Sequence, residues 1–131
     1  MTGIADTRLL LTLEFPPTEE TRRKAVGLAE EELAEHLLAP SIILTEFVKI
    51  AGARLGEDAA TTRLRLLRER GMRTIAIDEE VALVAGNLLL SHRNAPVADA
   101  LIASFAVTGV GEYVISDDPH FKTLGVKTRW F

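Results

Sequence analysis

Gly3-Ile4-Ala5-Asp6-Thr7-Arg8-Leu9-Leu10 is the stretch on which the fold turns. Small and apolar residues lead to a carboxylate, and leucines then recur at positions 9, 10 and 13, at helical spacing. The reading is a short buried strand ending at Asp6 and followed at once by a helix. A strand that is apolar without alternation suits a parallel sheet covered on both faces. In such sheets ligands sit just beyond the carboxyl ends of the strands, near the point where strand order reverses. Asp6 stands at such an end. An Asp before a helix is also a good N-cap, and the two roles can coexist.

The rest of the chain repeats this pattern. Further strands are expected at residues 37–39, 73–77, 113–116 and 126–130. Between them lie helices with recognisable ends. Phe15-Pro16-Pro17 breaks the first helix, and Thr18 caps a second that runs to about His36. Pro40-Ser41 opens a third, which ends near Gly52 or Gly56. Asp58 is expected to cap a fourth, which Gly71 stops after Arg70. Asp78 caps a fifth through Leu90. Pro96 suits the first turn of a sixth, containing Val97, Leu101 and Phe105 and closed by Gly109 and Gly111. Short strands alternating with helices give an α/β class, and 131 residues fit one domain, 1–131. The run Glu30-Glu31-Glu32 reads as a solvated helix face.

Composition removes several chemistries. The absence of cysteine excludes disulfides, thiolate zinc sites and a cysteine nucleophile. A net charge of −4 weighs against a broad phosphate-binding face but leaves room for a nuclease with acids in its cleft and arginines at the rim. The start lacks the basic segment of a secretory leader, and the apolar runs are interrupted well short of a membrane span. The expected location is the cytoplasm, without a membrane partner. Gly109-Val110-Gly111 is not a nucleotide-binding fingerprint. His36, His92 and His120 lack a metal-ligand spacing, and no nucleophile elbow supports a triad of Ser116, His120 and Asp117.

Four acidic positions remain. Asp6 follows the first strand. Glu46 lies among Ile42, Ile43, Leu44, Phe47 and Val48, where an ionised carboxylate is costly unless paired or metal-bound. Asp99 is the only charged residue between Arg93 and Glu112; a first-turn acid favours a helix, yet this helix otherwise looks buried. Asp117 and Asp118 end the strand Tyr113-Val114-Ile115-Ser116, where Asp-Asp-Pro is also ordinary turn chemistry. Four carboxylates in one cleft repel one another, and a divalent cation relieves that repulsion. Oxygen donors suit Mg²⁺ or Mn²⁺, and such an ion can activate water against a phosphodiester.

These residues resemble the four acidic motifs of the PIN-domain family, especially single-domain VapC-type toxins of prokaryotic toxin–antitoxin pairs. Ile4-Ala5-Asp6-Thr7-Arg8-Leu9-Leu10 is similar to the first motif and Ser41-Ile42-Ile43-Leu44-Thr45-Glu46-Phe47 to the second. Ala98-Asp99-Ala100-Leu101-Ile102-Ala103 is similar to the third and Ser116-Asp117-Asp118-Pro119-His120-Phe121 to the fourth. The order holds across nearly the whole chain. The resemblance implies a Rossmann-like parallel sheet of order 3-2-1-4-5 with helices on both faces. It also implies Mg²⁺-dependent cleavage of RNA, with Asp6, Glu46, Asp99 and Asp118 as catalytic metal ligands. Thr7 and Ser116 would position carboxylates, and Asp117 would assist; Phe121, three residues beyond Asp118, sets the choice between the two acids. Arg8, Arg93, His120 and Lys122 are candidates for phosphate contact. A homodimer and an antitoxin protein are the implied partners. The chain departs from the family pattern at Arg8, which replaces a common Asn, at Ser116, which replaces Thr, and at His120, which replaces a further acid and so favours one Mg²⁺ over two. Two other readings stay open: a PIN-like RNase of RNA processing or decay, and a non-catalytic interaction module on the same fold.

Overall fold

The computed structural model describes residues 1–131. Five parallel strands form one sheet: β1 (Gly3–Ala5), β2 (Leu38–Pro40), β3 (Arg73–Ile75), β4 (Tyr113–Ile115) and β5 (Thr128–Arg129), in the order β3-β2-β1-β4-β5. Seven helices accompany them: α1 (Thr7–Glu14), α2 (Glu19–Ala34), α3 (Ser41–Leu55), α4 (Glu57–Glu69), α5 (Glu79–Ser91), α6 (Val97–Val107) and α7 (His120–Thr123). The α/β class is the one the sequence pattern leads to, and the strand order is the one the family resemblance implies. No helix is long and apolar enough to cross a membrane.

The centre of the sheet is its most apolar part. β1, β2 and β4 are buried along their whole length, whereas β3 at the edge is largely exposed. Ile4, Ala5, Val114 and Ile115 are fully enclosed. β1 and β4 pair in the register Gly3↔Tyr113, Ile4↔Val114 and Ala5↔Ile115. From β1 the order runs to β2 and β3 on one side and to β4 and β5 on the other, so the switch point lies between β1 and β4. A strand of three residues spans only about 10 Å. Helical side chains therefore supply most of the core, with Leu9 and Leu10 from α1, Phe47 from α3, Ile102 from α6 and Phe121 from α7.

Several helix ends follow the expected chemistry. Thr18 accepts the Thr21 N–H at 3.0 Å and Asp78 accepts the Val81 N–H at 2.9 Å. Asp58 does not cap α4, contrary to the sequence reading; it lies in the first turn, and Gly56 is the flanking residue. Gly56 serves both helices. At φ +96 it donates its N–H to the Gly52 carbonyl, closing α3, and the chain enters α4 at the next residue.

The run of three glutamates also needs correction. Glu30 and Glu31 are exposed, but Glu32 is 1% exposed and faces the sheet. The Tyr113 hydroxyl donates to its carboxylate, and Arg129 Nη1 lies 3.1 Å from Oε1. Such partners make a buried carboxylate tolerable. A Cβ at Gly3 would come within 2.9 Å of both Glu32 Oε2 and Tyr113, so glycine is what lets this pair lie against β1.

Candidate functional site

The four acidic positions reach the switch point from four different segments. Asp6 caps α1 directly beyond β1, and Asp118 lies three residues beyond the end of β4. Glu46 comes from the second turn of α3 and Asp99 from the first turn of α6. Asp6 uses both its oxygens within the protein: Oδ1 accepts the Thr7 N–H at 2.8 Å, and Oδ2 accepts the Ser116 hydroxyl at 2.7 Å. Thr7 Oγ1 donates to Glu46 Oε1 at 2.6 Å, while the Ser116 hydroxyl oxygen accepts the Asp118 N–H at 3.0 Å. Thr7 and Ser116 thus join three of the four acids through hydrogen bonds.

Asp117 and Asp118 point apart. Asp117 forms a bidentate pair with Arg8, with both N–H···O distances 2.9 Å, and the guanidinium holds its carboxyl below the usual range. Asp118 turns toward Asp99 and accepts the His120 backbone N–H at Oδ1, 2.9 Å away. That bond opens the single turn of α7, which the sequence reading took as a plain turn. The turn swings the His120 ring into the acids. Nδ1 lies 2.8 Å from Asp118 Oδ1 and 3.2 Å from Asp99 Oδ2.

The cluster is electrostatically strained. Burial pushes Asp6 up to about 6, against the hydrogen bonds from Ser116 and Thr7 and with the help of the charges on Glu46 and Asp118. Burial also pushes Asp99 up to about 7, reinforced by Asp118 and Asp6 and opposed by His120. Asp99 is 9% exposed, and its Oδ2 has no hydrogen-bond partner. A buried carboxylate oxygen without a donor, beside other carboxylates, fits a divalent cation. The oxygen-rich donor set suits a hard ion.

A consequence can be measured. Binding a divalent ion near pH 6 should release roughly one to two protons, because Asp6 is then about half and Asp99 largely protonated, and release should fade above about pH 8. Calorimetric titrations in buffers of different ionisation enthalpy give the count directly. A count of zero at pH 6 would contradict the raised carboxyls.

The phosphate-contact candidates are scattered. Arg8 stands at the rim, half engaged by Asp117. Arg93 and His120 line one cleft of about 260 Å³ with Asn94 and Thr123. Lys122 is exposed on α7 and forms no ion pair. The larger cleft lies beside the acids, not over them. It holds about 460 Å³ and is lined by Arg8, Phe15, Arg54, Asp117, Trp130 and Phe131, among others. The Arg54 guanidinium sits 4.1 Å above the Phe15 ring, and the rings of Trp130 and Phe131 stack at 4.7 Å. Nothing in the sequence reading marked this cleft. Its aromatic residues come from near position 15 and from the last two positions, and only the fold brings them together.

Residues 4–127 match the family described as PIN domain. The fold is similar to that of Mycobacterium tuberculosis VapC20, a toxin that cleaves the sarcin–ricin loop, at 16% identity and a TM-score of 0.79; the match covers 95% of this chain and 96% of that one. It is also similar to VapBC2 of Rickettsia felis bound to a promoter DNA fragment, at 16% identity and a TM-score of 0.75, covering 100% and 99% of the two chains. A toxin–antitoxin complex from Klebsiella pneumoniae matches at 19% identity and a TM-score of 0.68, covering 90% and 88%. No curated protein matches the chain in sequence.

Proposed function

Because this chain belongs to the PIN-domain family, we propose that it is a divalent-metal-dependent ribonuclease, acting as the toxin of a toxin–antitoxin pair. The observation that carries this reading is the meeting of Asp6, Glu46, Asp99 and Asp118 beyond β1 and β4, joined through Thr7 and Ser116 and with Asp99 Oδ2 buried and unpartnered. A carboxylate group so arranged gains a binding partner from a cation and gains nothing from its absence. A non-catalytic module has no use for the arrangement.

The four acids would hold Mg²⁺ or Mn²⁺. When bound, the ion neutralises charge developing on the scissile phosphate and makes water acidic enough to attack. The chain's own residues do the rest. Ser116 and the Thr7 N–H fix both oxygens of Asp6, and Thr7 Oγ1 fixes Glu46. Carboxylates held in this way need little reorganisation during reaction. Arg8 lines the 460 Å³ cleft and Arg93 the 260 Å³ cleft that also holds His120, and each would meet a phosphate of the substrate there. The 460 Å³ cleft combines guanidinium groups with exposed ring faces, the chemistry that holds unstacked bases of single-stranded RNA. An antitoxin partner, a homodimer and a cytoplasmic setting accompany the toxin reading; it is supported by the similar folds, one of them a cleaving toxin and another a toxin–antitoxin complex.

The test is cleavage of a defined panel of structured and single-stranded RNAs, with chelator and after return of Mg²⁺ or Mn²⁺. The expected result is cleavage that chelation stops and the ion restores. Cleavage that persists fully in chelator would sink the metal-dependent reading. Growth arrest on expression, relieved by a neighbouring gene's product, separates a toxin from an RNA-processing enzyme.

A further inference from the structure

The donors expected from the four acids are all oxygens, but the structure adds a nitrogen. We infer that His120 Nδ1 is a ligand of the cation, and that this nitrogen shifts the centre's preference from Mg²⁺ toward Mn²⁺. The inference rests on reading the acidic cluster as a metal centre, and it concerns which ion that centre selects.

The geometry carries the case. One oxygen of Asp99, one of Asp118 and one ring nitrogen of His120 all lie within 4.8 Å of one another. His120 Nδ1 is only 2.8 Å from Asp118 Oδ1 and 3.2 Å from Asp99 Oδ2. Yet neither Nδ1 nor Asp99 Oδ2 makes a hydrogen bond, although both atoms are shielded from solvent. The distances are short enough for hydrogen bonds, but the directions are wrong. Together with the Asp118 oxygen, the two atoms lie close enough to share one cation. A buried acceptor and a buried ring nitrogen are each costly without a partner, and one cation would satisfy both.

The position of the ring is built in. Asp118 Oδ1 accepts the His120 N–H, fixing the backbone on one side. Phe121 is fully buried and Leu124 nearly so, which anchors α7 on the other. The rest of the imidazole is half-exposed, so Nδ1 points inward while the ring edge faces solvent. The ring is thus held over the acids from two sides, by one of the acids themselves, Asp118, and by the buried Phe121 and Leu124, which have no part in binding the ion.

Selectivity follows from donor chemistry. Mg²⁺ prefers oxygen and gives up its waters reluctantly. Imidazole favours later transition ions, and Mn²⁺ stands at the near end of that series. One nitrogen among oxygens therefore strengthens Mn²⁺ more than Mg²⁺.

The experiment uses the full chain and Mn²⁺ as a spectroscopic probe. Pulsed electron paramagnetic resonance of bound Mn²⁺ should show coupling to a directly bound ¹⁴N, absent in His120→Asp and His120→Gln. Calorimetry should show Mn²⁺ binding tighter than Mg²⁺, with the ratio falling roughly tenfold in His120→Asp, which restores an oxygen donor. Thermal melts confirm that both variants fold. If Mn²⁺ binds, and Asp99→Asn weakens it, but no ¹⁴N coupling is seen, the His120 assignment is overturned and the acidic metal centre stands. If Mn²⁺ and Mg²⁺ both fail to bind, the metal-centre reading fails and takes this inference with it. An unchanged Mn²⁺-to-Mg²⁺ ratio in a folded His120→Asp variant likewise overturns the selectivity.

Discussion

Asp99→Asn should abolish RNA cleavage while making the metal-free protein more stable. The two effects have one cause. Asp99 is buried among like charges, and its carboxyl is pushed up to about 7. It binds its proton more tightly in the folded chain than in the unfolded one, where an ordinary Asp titrates near 3.9. The folded state therefore carries the extra proton between these values. Metal-free stability should fall as pH rises from about 4 through about 7 and then level off. Asparagine carries no charge, so the variant should match wild type below pH 4 and exceed it above pH 7. After a discount for solvent close by, the gain is on the order of 2 kcal/mol. Loss of an acid that shapes the charge of the centre should cost roughly a thousandfold in rate, or ~4 kcal/mol of barrier. Chemical denaturation at pH 4 and pH 8 in chelator measures the first effect, and single-turnover cleavage the second. Retained activity would remove Asp99 from the centre; a variant less stable than wild type at pH 8 would show that the carboxylate has a partner in the fold. A site that destabilises its own scaffold until it is loaded is a common form of the trade between stability and function.

Arg129→Met should lower the melting temperature by roughly 10 °C, through the loss of about 3 kcal/mol. The effect comes from the other end of the sheet and involves no candidate catalytic residue. Glu32 is 1% exposed, and its carboxylate is held by Tyr113 and Arg129. Arg129 also pairs with the exposed Glu31. Removing the guanidinium leaves a buried carboxylate with a single phenol donor, and an uncompensated buried charge costs far more than a surface pair contributes. The double variant Glu32→Gln/Arg129→Met should recover part of the loss, because no buried charge remains. A melting temperature within a degree or two of wild type for Arg129→Met would mean that the Glu32 carboxylate reaches water.

These two regions differ in how well the sequence announced them. Asp6 and Asp118 could be read because each follows an apolar run that had to be a strand, and Asp99 because it is the single charge on an apolar helix. Glu46 stood out against the apolar residues around it. The alternation of strands and helices gave the α/β class, but the order 3-2-1-4-5 came from the resemblance, since pattern alone does not say which strands touch. Glu32 was misread for a physical reason. It sits in a run of three acids, and the partners that justify its burial lie 81 and 97 residues away. His120 was read only as a candidate for phosphate contact, because its place beside Asp99 and Asp118 depends on a one-turn helix, too short to leave a periodic trace. Local chemistry held a hint there: an Asp followed by Pro and His lets the carboxylate catch the backbone N–H two residues on, which fixes where the ring goes.

The pairing of β1 with β4 sets a timetable for synthesis. Asp6 and Glu46 emerge from the ribosome early, while their partners Asp99 and Asp118 are still untranslated. Until residue 115 is free, β1 has only β2 beside it, and the middle of the sheet stays open on one side. A contact bridging more than a hundred residues forms late in any folding sequence. A product cut short before β4 therefore holds no complete acidic centre. The four acids can meet only after residue 118 has left the ribosome, so order of synthesis alone keeps the centre unmade while most of the domain is being built.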